Sequence, residues 1–275
     1  MNDIAIMQGR LLPPFEGRFQ AFPAKQWRDE FESANKAGLD CIEWIFEKPN
    51  EHLNPFSSDE GIKELKQIIK TSGVGIRSIC ADYYMEEFLI DTDGNQRNKA
   101  VDHLHWLIDQ AAKLSLIYIV LPFVDVSSLI TSAQQQGLIS LMQALGPKAE
   151  KVGLELHLET DLDPAVFSGV LKAINHPSIQ ANFDIGNSAS LGYDPTEELT
   201  ALAPFLGSVH VKDRMLGGST VAFGQGNADF TTCFNLIRKA GFSRHFVLQA
   251  ARDKDGQEID LAIHNRKFVE RQLSN

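Results

Sequence analysis

Cysteine is scarce in this chain of 275 residues. The three cysteines, Cys41, Cys80 and Cys233, lie far apart and form no C-x-x-C pair. This usage argues against a disulfide framework and against a cysteine-rich zinc site. We therefore expect a reducing compartment, the cytoplasm.

Positive charge is also in short supply. The chain has 26 lysines and arginines against 36 aspartates and glutamates, which gives a formal net charge of −10 at pH 7. Nucleic acid and anionic membrane surfaces bind proteins largely through basic residues. We therefore expect neither as the main partner, although a local basic pocket could still hold a small anion.

Long apolar runs and flexible linkers are absent. No apolar run approaches the ~20 residues that a membrane-spanning helix needs. The N-terminus, M-N-D-I-A-I-M-Q-G-R, has no basic region followed by a long apolar stretch, so no signal peptide is expected. Because no Gly/Ser-rich segment divides the chain, we expect one domain covering residues 1–275.

Short apolar runs alternate along the chain with longer amphipathic segments. The runs predict strands at Ile4–Met7, Cys41–Ile45, Gly75–Cys80, Ile117–Leu121, Leu154–Leu158, Ala181–Phe183, Ser208–Val211 and Phe246–Leu248. The amphipathic segments predict helices at Ala24–Ala37, Ser58–Ser72, Asn98–Leu114, Gln135–Val152, 164–175, 195–203, 231–240 and 260–273.

Eight such β–α units are typical of a whole (β/α)8 barrel of ~250 residues. A doubly wound open sheet is the alternative, but its G-x-G-x-x-G fingerprint does not follow the first strand. We therefore predict an α/β fold, a single-domain (β/α)8 TIM barrel.

Polar residues stand at the ends of the last four predicted strands, where a barrel builds its active site. In L-E-L-H-L-E, residues Glu155, His157 and Glu159 share one face, and Glu159 is nearest the strand end. Any one such residue alone is more often a structural hydrogen bonder. Four in successive units, with three oxygens and one nitrogen, favour a divalent metal such as Mn²⁺, Zn²⁺, Co²⁺ or Mg²⁺. The four residues are Glu159, Asp184, His210 and Gln249.

The motifs D-I-G-N, H-V-K-D and F-G-Q-G-N-A-D-F occur in this order in the second half of the chain. Together with I-M-Q-G-R and G-L-D-C-I-E-W, they resemble the sugar phosphate isomerase/epimerase family of xylose isomerase-like barrels. They are similar to its L-ribulose-5-phosphate (L-xylulose-5-phosphate) 3-epimerase branch. The resemblance implies a metal held by Glu159, Asp184, His210 and the residue at position 249. The family has glutamate there, and Gln249 departs from it, although its Oε1 can still coordinate a metal weakly and without charge.

The resemblance also implies the chemistry. A glutamate, here Glu159, removes a proton from the carbon beside a carbonyl, and the metal stabilises the resulting enediolate. Epimerisation needs a second acid, which the family places at the position of Gln249. An amide cannot titrate. The sequence therefore leaves two alternatives: one-base aldose–ketose isomerisation, or a replacement acid among Glu43, Asp82 and His157.

Further residues near the strand ends are candidates for contact with a substrate. The cations suit an anionic group, the amides suit hydroxyls, and an aromatic ring can form a pocket wall. Residues 217–219, G-G-S, could turn backbone N–H groups toward a phosphate, or could form a plain solvated loop. The candidate substrate-binding residues are Lys212, Arg214, Asn187, Arg252, Arg10, Trp44 and Gln8.

The sequence thus predicts a metal-dependent isomerase or epimerase that acts on a small sugar or sugar phosphate. A metal-dependent hydrolase or lyase on the same barrel is an alternative, but it would need more ligands and, for DNA, a basic surface. A non-catalytic sugar-binding relative is another, because of Gln249. The sequence leaves open which sugar, which metal and which oligomeric state apply, with a homodimer as one candidate.

Overall fold

The computed structural model describes residues 2–253 and 256–274. Eight parallel strands close into a barrel in the order β1-β8-β7-β6-β5-β4-β3-β2. This confirms the predicted (β/α)8 fold. The strands are β1 (Ile4–Met7), β2 (Cys41–Ile45), β3 (Gly75–Cys80), β4 (Tyr118–Phe123), β5 (Glu155–Thr160), β6 (Ile179–Asp184), β7 (Leu206–Val211) and β8 (Phe246–Leu248).

Helices surround the barrel and connect its strands. They are α1 (Asp29–Ala37), α2 (Asp59–Ser72), α3 (Asn98–Lys113), α4 (Ser132–Lys151), α5 (Pro164–Ile174), α6 (Ile185–Leu191), α7 (Pro195–Leu202), α8 (Phe230–Lys239) and α9 (Glu258–Ser274). Short 3-10 helices occupy several loops: Phe15–Gly17, Glu51–Leu53, Pro55–Ser57, Asp82–Met85, Asp125–Ser127 and Ala203–Phe205. A small antiparallel hairpin, Asp213–Arg214 with Thr220–Val221, follows β7.

The core lies between the strands and the helices. Strand β4, Y-I-V-L-P-F, is buried along its whole length, as expected for a parallel strand covered on both faces. Side-chain caps at Ser58, Asp163 and Asp194 begin α2, α5 and α7, and each such cap typically stabilises a helix by about 1 kcal/mol. In the parts of the chain that the structure describes, no helix is long and apolar enough to cross a bilayer.

Several predicted boundaries differ from the structure, with the largest difference at the start of α1. The helix predicted from Ala24 begins at Asp29, because residues before it form turns with i to i+3 hydrogen bonds, such as Gln26 N–H to the Pro23 carbonyl at 2.9 Å. Helix α6 was not predicted. Its sequence, I-G-N-S-A-S-L, favours a loop, but Asp184 caps its first turn by accepting a hydrogen bond from the Asn187 N–H.

Candidate metal centre

Three potential metal ligands converge at the carboxyl end of the barrel. Glu159 on β5, Asp184 at the end of β6 and His210 on β7 are buried, and their ligand atoms lie within 4.8 Å of one another. His210 Nδ1 lies 3.4 Å from Glu159 Oε2 and 3.9 Å from Asp184 Oδ2. The parallel register explains the meeting, since Asp184 pairs directly with His210. Two carboxylates and one imidazole nitrogen are a donor set that fits a divalent cation.

A buried carboxylate holds the far side of the His210 ring. Glu43 Oε1 lies 2.7 Å from His210 Nε2, and Glu43 Oε2 accepts a hydrogen bond from Ser78 Oγ at 2.7 Å. Metal-binding histidines commonly have such a partner, which leaves the other ring nitrogen for the metal. Glu43 is fully buried and bonded to these two partners, so its carboxyl does not line the cavity.

Electrostatics at His210 favour positive charge. Burial alone would lower the pKa of His210, but the negative charges of Glu43 and Glu159 outweigh it and raise the pKa to about 10. Glu43 shows the converse effect. Burial would raise the pKa of its carboxyl, and the contacts with His210 and Ser78 lower it overall. The site therefore attracts a cation, with which a proton on Nδ1 would compete.

Asn182, which sequence reasoning missed, supports the ligands from below. Its Nδ2 donates to Glu159 Oε2 at 3.0 Å and approaches His210 Nδ1 at 3.2 Å. Its Oδ1 accepts a hydrogen bond from Ser208 Oγ at 2.6 Å. The signal for it was the alternation in N-F-D, which places Asn182 and Asp184 on the same face of β6.

His157, a candidate acid, lies deeper in the barrel. Its Nδ1 is 2.8 Å from Ser208 Oγ and its Nε2 is 2.9 Å from Glu155 Oε2. Arg244 contacts both His157 and Glu155. Burial lowers the pKa of His157 to about 4 despite the opposing effect of Glu155. His157 is fully enclosed by these contacts and does not reach the ligands.

Gln249 directly follows β8 and faces the same centre. Its Oε1 accepts a hydrogen bond from Lys212 Nζ at 2.9 Å. Lys212 Nζ also donates to Asp184 Oδ2 and to Asn187 Oδ1, each at 3.2 Å. The ammonium thus lies beside the candidate ligands, bound among three side-chain oxygens. Whether Gln249 coordinates a metal stays a prediction.

The contacts of Asn187 and Gly186 explain the last two residues of the D-I-G-N motif. Asn187 Nδ2 donates to Glu159 Oε1 at 2.7 Å, so one amide fixes the second oxygen of that carboxylate. Gly186 leaves room for Lys212, because a Cβ at this position would lie 2.7 Å from Lys212 Cγ. The motif therefore positions a candidate ligand, a candidate base and a cation together.

A cavity of about 490 Å³ opens above these residues. Phe19, Met85 and Val124 form part of its apolar wall. Its polar side chains include Asp82, Asp125, Glu159, Asn187, Lys212, Arg214 and Gln249. Three of the predicted substrate-binding residues, Asn187, Lys212 and Arg214, therefore face a space large enough for a small sugar.

Gln20, also missed from the sequence, bridges this cavity. Its Nε2 donates to Asp82 Oδ2 at 2.8 Å, and its Oε1 accepts from Gln249 Nε2 at 3.2 Å. Gln20 lies in the loop between β1 and α1, so no strand-end pattern pointed to it. It connects the end of β3 with the end of β8.

Arg10 and Arg252 hold this loop and do not line the cavity. Arg10 donates to the Phe19 carbonyl at 2.7 Å and to Gln20 Oε1 at 3.1 Å. Arg252 donates to the same Phe19 carbonyl at 2.7 Å. In this structure they shape the loop that carries Gln20, and their role in binding a substrate stays a prediction.

Trp44 and Gln8 are also corrected. Trp44 is fully buried between β2 and the helices, and its indole N–H donates to Asn54 Oδ1 at 3.1 Å. Gln8 is fully buried and accepts the Ile45 N–H at 3.0 Å, which ties β1 to β2. Both residues lie near strand ends, but neither lines the cavity.

The hairpin loop after β7 does not offer the predicted phosphate cradle at its glycines. The Gly217 N–H donates to the Ser190 carbonyl, and the Gly218 N–H donates to the Met215 carbonyl. Arg214 donates to the Gly218 carbonyl at 2.8 Å. The first of these hydrogen bonds ties the loop to α6, and the other two close the loop.

Asp213 anchors the next part of that loop. Its carboxylate accepts hydrogen bonds from the N–H groups of Gly224, Gly226 and Ala228 at 2.8, 2.9 and 3.1 Å. Gly226 is required by this close approach, since a Cβ there would lie 2.2 Å from Asp213 Oδ1. The last residue of H-V-K-D and the glycines of F-G-Q-G-N-A-D-F therefore form one structural unit.

Comparisons with known proteins agree with this architecture. The family model for the xylose isomerase-like TIM barrel matches residues 31–272. The chain is 25% identical over 242 residues to the L-ribulose-5-phosphate 3-epimerase UlaE of Shigella flexneri serotype 5b (strain 8401), covering 84% of each chain.

Solved structures with the same fold include an epimerase and a protein that contains zinc. The structure of L-ribulose 3-epimerase superposes with a TM-score of 0.73 at 18% identity, covering 100% of this chain and 95% of that one. The IolI protein, solved with a zinc atom, superposes with a TM-score of 0.77 at 14% identity, covering 99% and 98%. At such identities these structures establish a shared fold.

Proposed function

Because the chain belongs to the xylose isomerase-like TIM barrel family, we propose that it is a metal-dependent isomerase or epimerase of a small sugar or sugar phosphate. The observation that carries this proposal is the convergence of Glu159, Asp184 and His210, of which Glu159 lines the cavity. The name of the UlaE relative supports a pentulose phosphate as the first substrate to test.

The chain offers a coherent ligand set for the cation. Glu159, Asp184 and His210 Nδ1 would hold it, with Oε1 of Gln249 as a fourth ligand once that oxygen is released from Lys212. When bound, a divalent cation would supply positive charge beside the carbonyl oxygen of the substrate.

Glu159 is the proposed base. Its two oxygens are fixed by the amides of Asn182 and Asn187, at 3.0 and 2.7 Å. A carboxylate held in this way is oriented before the substrate arrives, which lowers the cost of proton abstraction from the carbon beside the carbonyl. Lys212 and Arg214 line the same cavity and are proposed to contact the substrate's oxygens or its phosphate.

Metal binding is the first test. We expect chelator-stripped protein to bind one Mn²⁺ per chain in isothermal titration calorimetry. Gln249→Glu should tighten binding on the order of tenfold or more, because it adds a negative charge within a few ångströms of the cation. Gln180→Glu, at the other end of β6, is the matched control and should leave the affinity unchanged. Absence of any such binding would contradict the proposed metal site.

Turnover is the second test. The protein, loaded with Mn²⁺, is incubated with L-ribulose 5-phosphate or L-ribulose in D₂O. Deuterium should appear at the carbon beside the carbonyl, and Glu159→Gln should slow its appearance by roughly 10²–10⁴-fold. A wild-type protein that exchanges no proton in either sugar would rule out this proposal for these substrates.

A further inference from the structure

We propose that Asp82 supplies the second proton that epimerisation requires, from across the mouth of the barrel. This inference rests on the proposed function and deepens it, because it selects epimerisation over one-base isomerisation. It also explains how the reaction can proceed with an amide at position 249.

Other candidates for this role are engaged elsewhere. Glu43 is fully buried and bound to His210 at 2.7 Å. His157 is fully buried and bound to Glu155 at 2.9 Å. Gln249 has no proton to exchange at ordinary pH.

The remaining carboxylates of the cavity differ in position. Glu159 is the proposed base, and Asp125 is exposed at the rim. Asp82 is half-buried and lies within the cavity wall. It is thus the carboxylate placed to act on a substrate held against the floor.

The barrel topology places Asp82 across the mouth of the barrel from the candidate metal ligand His210. Asp82 begins the loop after β3, and the closed strand order places β3 four steps from β7 in both directions. His210, on β7, therefore lies on the opposite side of the barrel. Glu159, on β5, is two steps from β3, a quarter of the way around the barrel. Glu159 and Asp82 would therefore approach a bound substrate from different directions.

The surroundings of Asp82 differ from those of a structural carboxylate. It accepts hydrogen bonds from Gln20 Nε2 at 2.8 Å and from Cys80 Sγ at 3.2 Å. Within residues 2–253 and 256–274, no lysine or arginine forms an ion pair with it. By contrast, the nearby Glu47 is paired with Arg18 at 2.8 Å.

This environment suits proton transfer near neutral pH. Burial raises the pKa of Asp82 to about 6, against the lowering effect of the bonds from Gln20 and Cys80. Glu47 and Glu159 add to the rise, and Arg10 is the nearby cation. A carboxyl with such a pKa populates both its acid and its base form, which general acid–base catalysis in either direction requires.

Gln20 acts as the positioning residue for Asp82. Its amide donates to Asp82 and accepts from Gln249 Nε2 at 3.2 Å, while Arg10 fixes its oxygen at 3.1 Å. The amide at position 249 therefore belongs to the hydrogen-bonded chain that holds Asp82 in place. A carboxylate at 249 could not donate to Gln20 in this way.

The proposed step is balanced without any further reactant. Glu159 takes the proton from the carbon beside the carbonyl, and the electrons of the broken C–H bond form the enediolate. Protonated Asp82 gives its proton to the same carbon from the other face, and the carbonyl reforms. Glu159 is then protonated and Asp82 ionised, and each exchanges its proton with water before the next turnover.

The test compares wild type, Asp82→Asn and Glu159→Gln in D₂O with L-ribulose 5-phosphate. Asp82→Asn should lower the rate of epimer formation by roughly 10²–10⁴-fold. It should still exchange deuterium into recovered substrate, because Glu159 is intact. Glu159→Gln should lose both reactions. Asp102→Asn, the same change on the exposed face of α3, is the matched control and should behave as wild type.

The outcomes separate this inference from the proposed function. Equal epimerisation by wild type and Asp82→Asn would overturn the role of Asp82 and leave the function standing. Deuterium exchange without epimer formation by the wild type would also overturn it. No reaction of either kind by the wild type would remove the function and the inference together. Should Asp82→Asn not fold, Gln20→Ala must give the same drop in the ratio of epimerisation to exchange.

Discussion

At the scale of single residues, the contact between Glu43 and His210 decides which imidazole nitrogen faces the cavity. Both side chains are fully buried, and burying a charge is costly unless it is paired and hydrogen-bonded. Glu43 meets this requirement through His210 and Ser78, at 2.7 Å each. The arrangement orients Nδ1 toward Glu159 and Asp184.

Replacing this carboxylate should weaken the metal site. We expect Glu43→Gln to lower the affinity for Mn²⁺ by about 10–100-fold, the usual loss when a ligand's hydrogen-bonding partner is removed. Calorimetric titration of stripped protein measures it. Glu47→Gln, a buried carboxylate that contacts Arg18 and not His210, is the matched control. Equal affinities for Glu43→Gln and wild type would show that Glu43 does not orient the ligand.

At the scale of elements, helix α6 packs so closely on the segment after β7 that its second residue must be glycine. A Cβ at Gly186 would lie 2.7–3.0 Å from atoms of Lys212, backbone carbon included. We expect Gly186→Ala to lower the free energy of unfolding by about 1–3 kcal/mol, the usual cost of overpacking. Urea denaturation measures it.

Gly169, in the exposed face of α5, is the matched control. A Cβ there has no atom within 4 Å. Gly169→Ala should therefore stabilise the protein by about 0.5–1 kcal/mol, because alanine loses less backbone freedom in a helix. If both variants changed stability in the same direction by the same amount, close packing at Gly186 would not be the cause.

The strands and helices also show how much of the fold the sequence predicts. Apolar runs gave all eight barrel strands, and Ile4–Met7, Cys41–Ile45, Gly75–Cys80 and Phe246–Leu248 agree with the structure at both ends. Helix α6 escaped prediction because its stability comes from the Asp184 cap and from tertiary packing, neither of which appears in local propensity.

The same limit applies to the site. Strand ends predicted that Glu159, Asp184 and His210 would meet, since parallel strands place their carboxyl ends together. Gln20 could not be foreseen, because it reaches the cavity from a loop fixed by Arg10. Trp44 faces the helices because successive side chains of a strand alternate, and its neighbour Glu43 faces His210 inside the barrel.

At the scale of the whole molecule, Glu30 joins the first helix to the turn after β1 and makes stability depend on pH. It is fully buried on α1, and its Oε1 accepts the Gly9 N–H at 2.5 Å. Burial raises the pKa of Glu30 to about 8 from 4.5, although Arg252 and Arg10 lie nearby. The folded state therefore holds a proton that the unfolded chain releases in this window.

The free energy of unfolding should fall as the pH rises, because the folded state binds the Glu30 proton more tightly than the unfolded chain does. The contribution of Glu30 is fully present below about pH 4.5 and is lost as the pH rises through about 8. We expect urea denaturation of the wild type to show a free energy of unfolding a few kcal/mol lower at pH 9 than at pH 6. Glu30→Gln should reduce this difference, while Glu32→Gln, exposed on the same helix, should keep it. An unchanged pH dependence in Glu30→Gln would assign it to other groups.

The anchoring of the loop after β7 by Asp213 has a consequence for how such barrels can be altered. Asp213 accepts hydrogen bonds from the backbone N–H groups of Gly224, Gly226 and Ala228, and these bonds do not depend on the side chains in between. The intervening residues 215–223 can therefore vary in sequence and length while the loop still closes at the same point. We expect changes within residues 215–223 to alter the rim of the cavity without moving the residues beneath it, provided that Arg214 is kept, because Arg214 donates to Asn187 Oδ1.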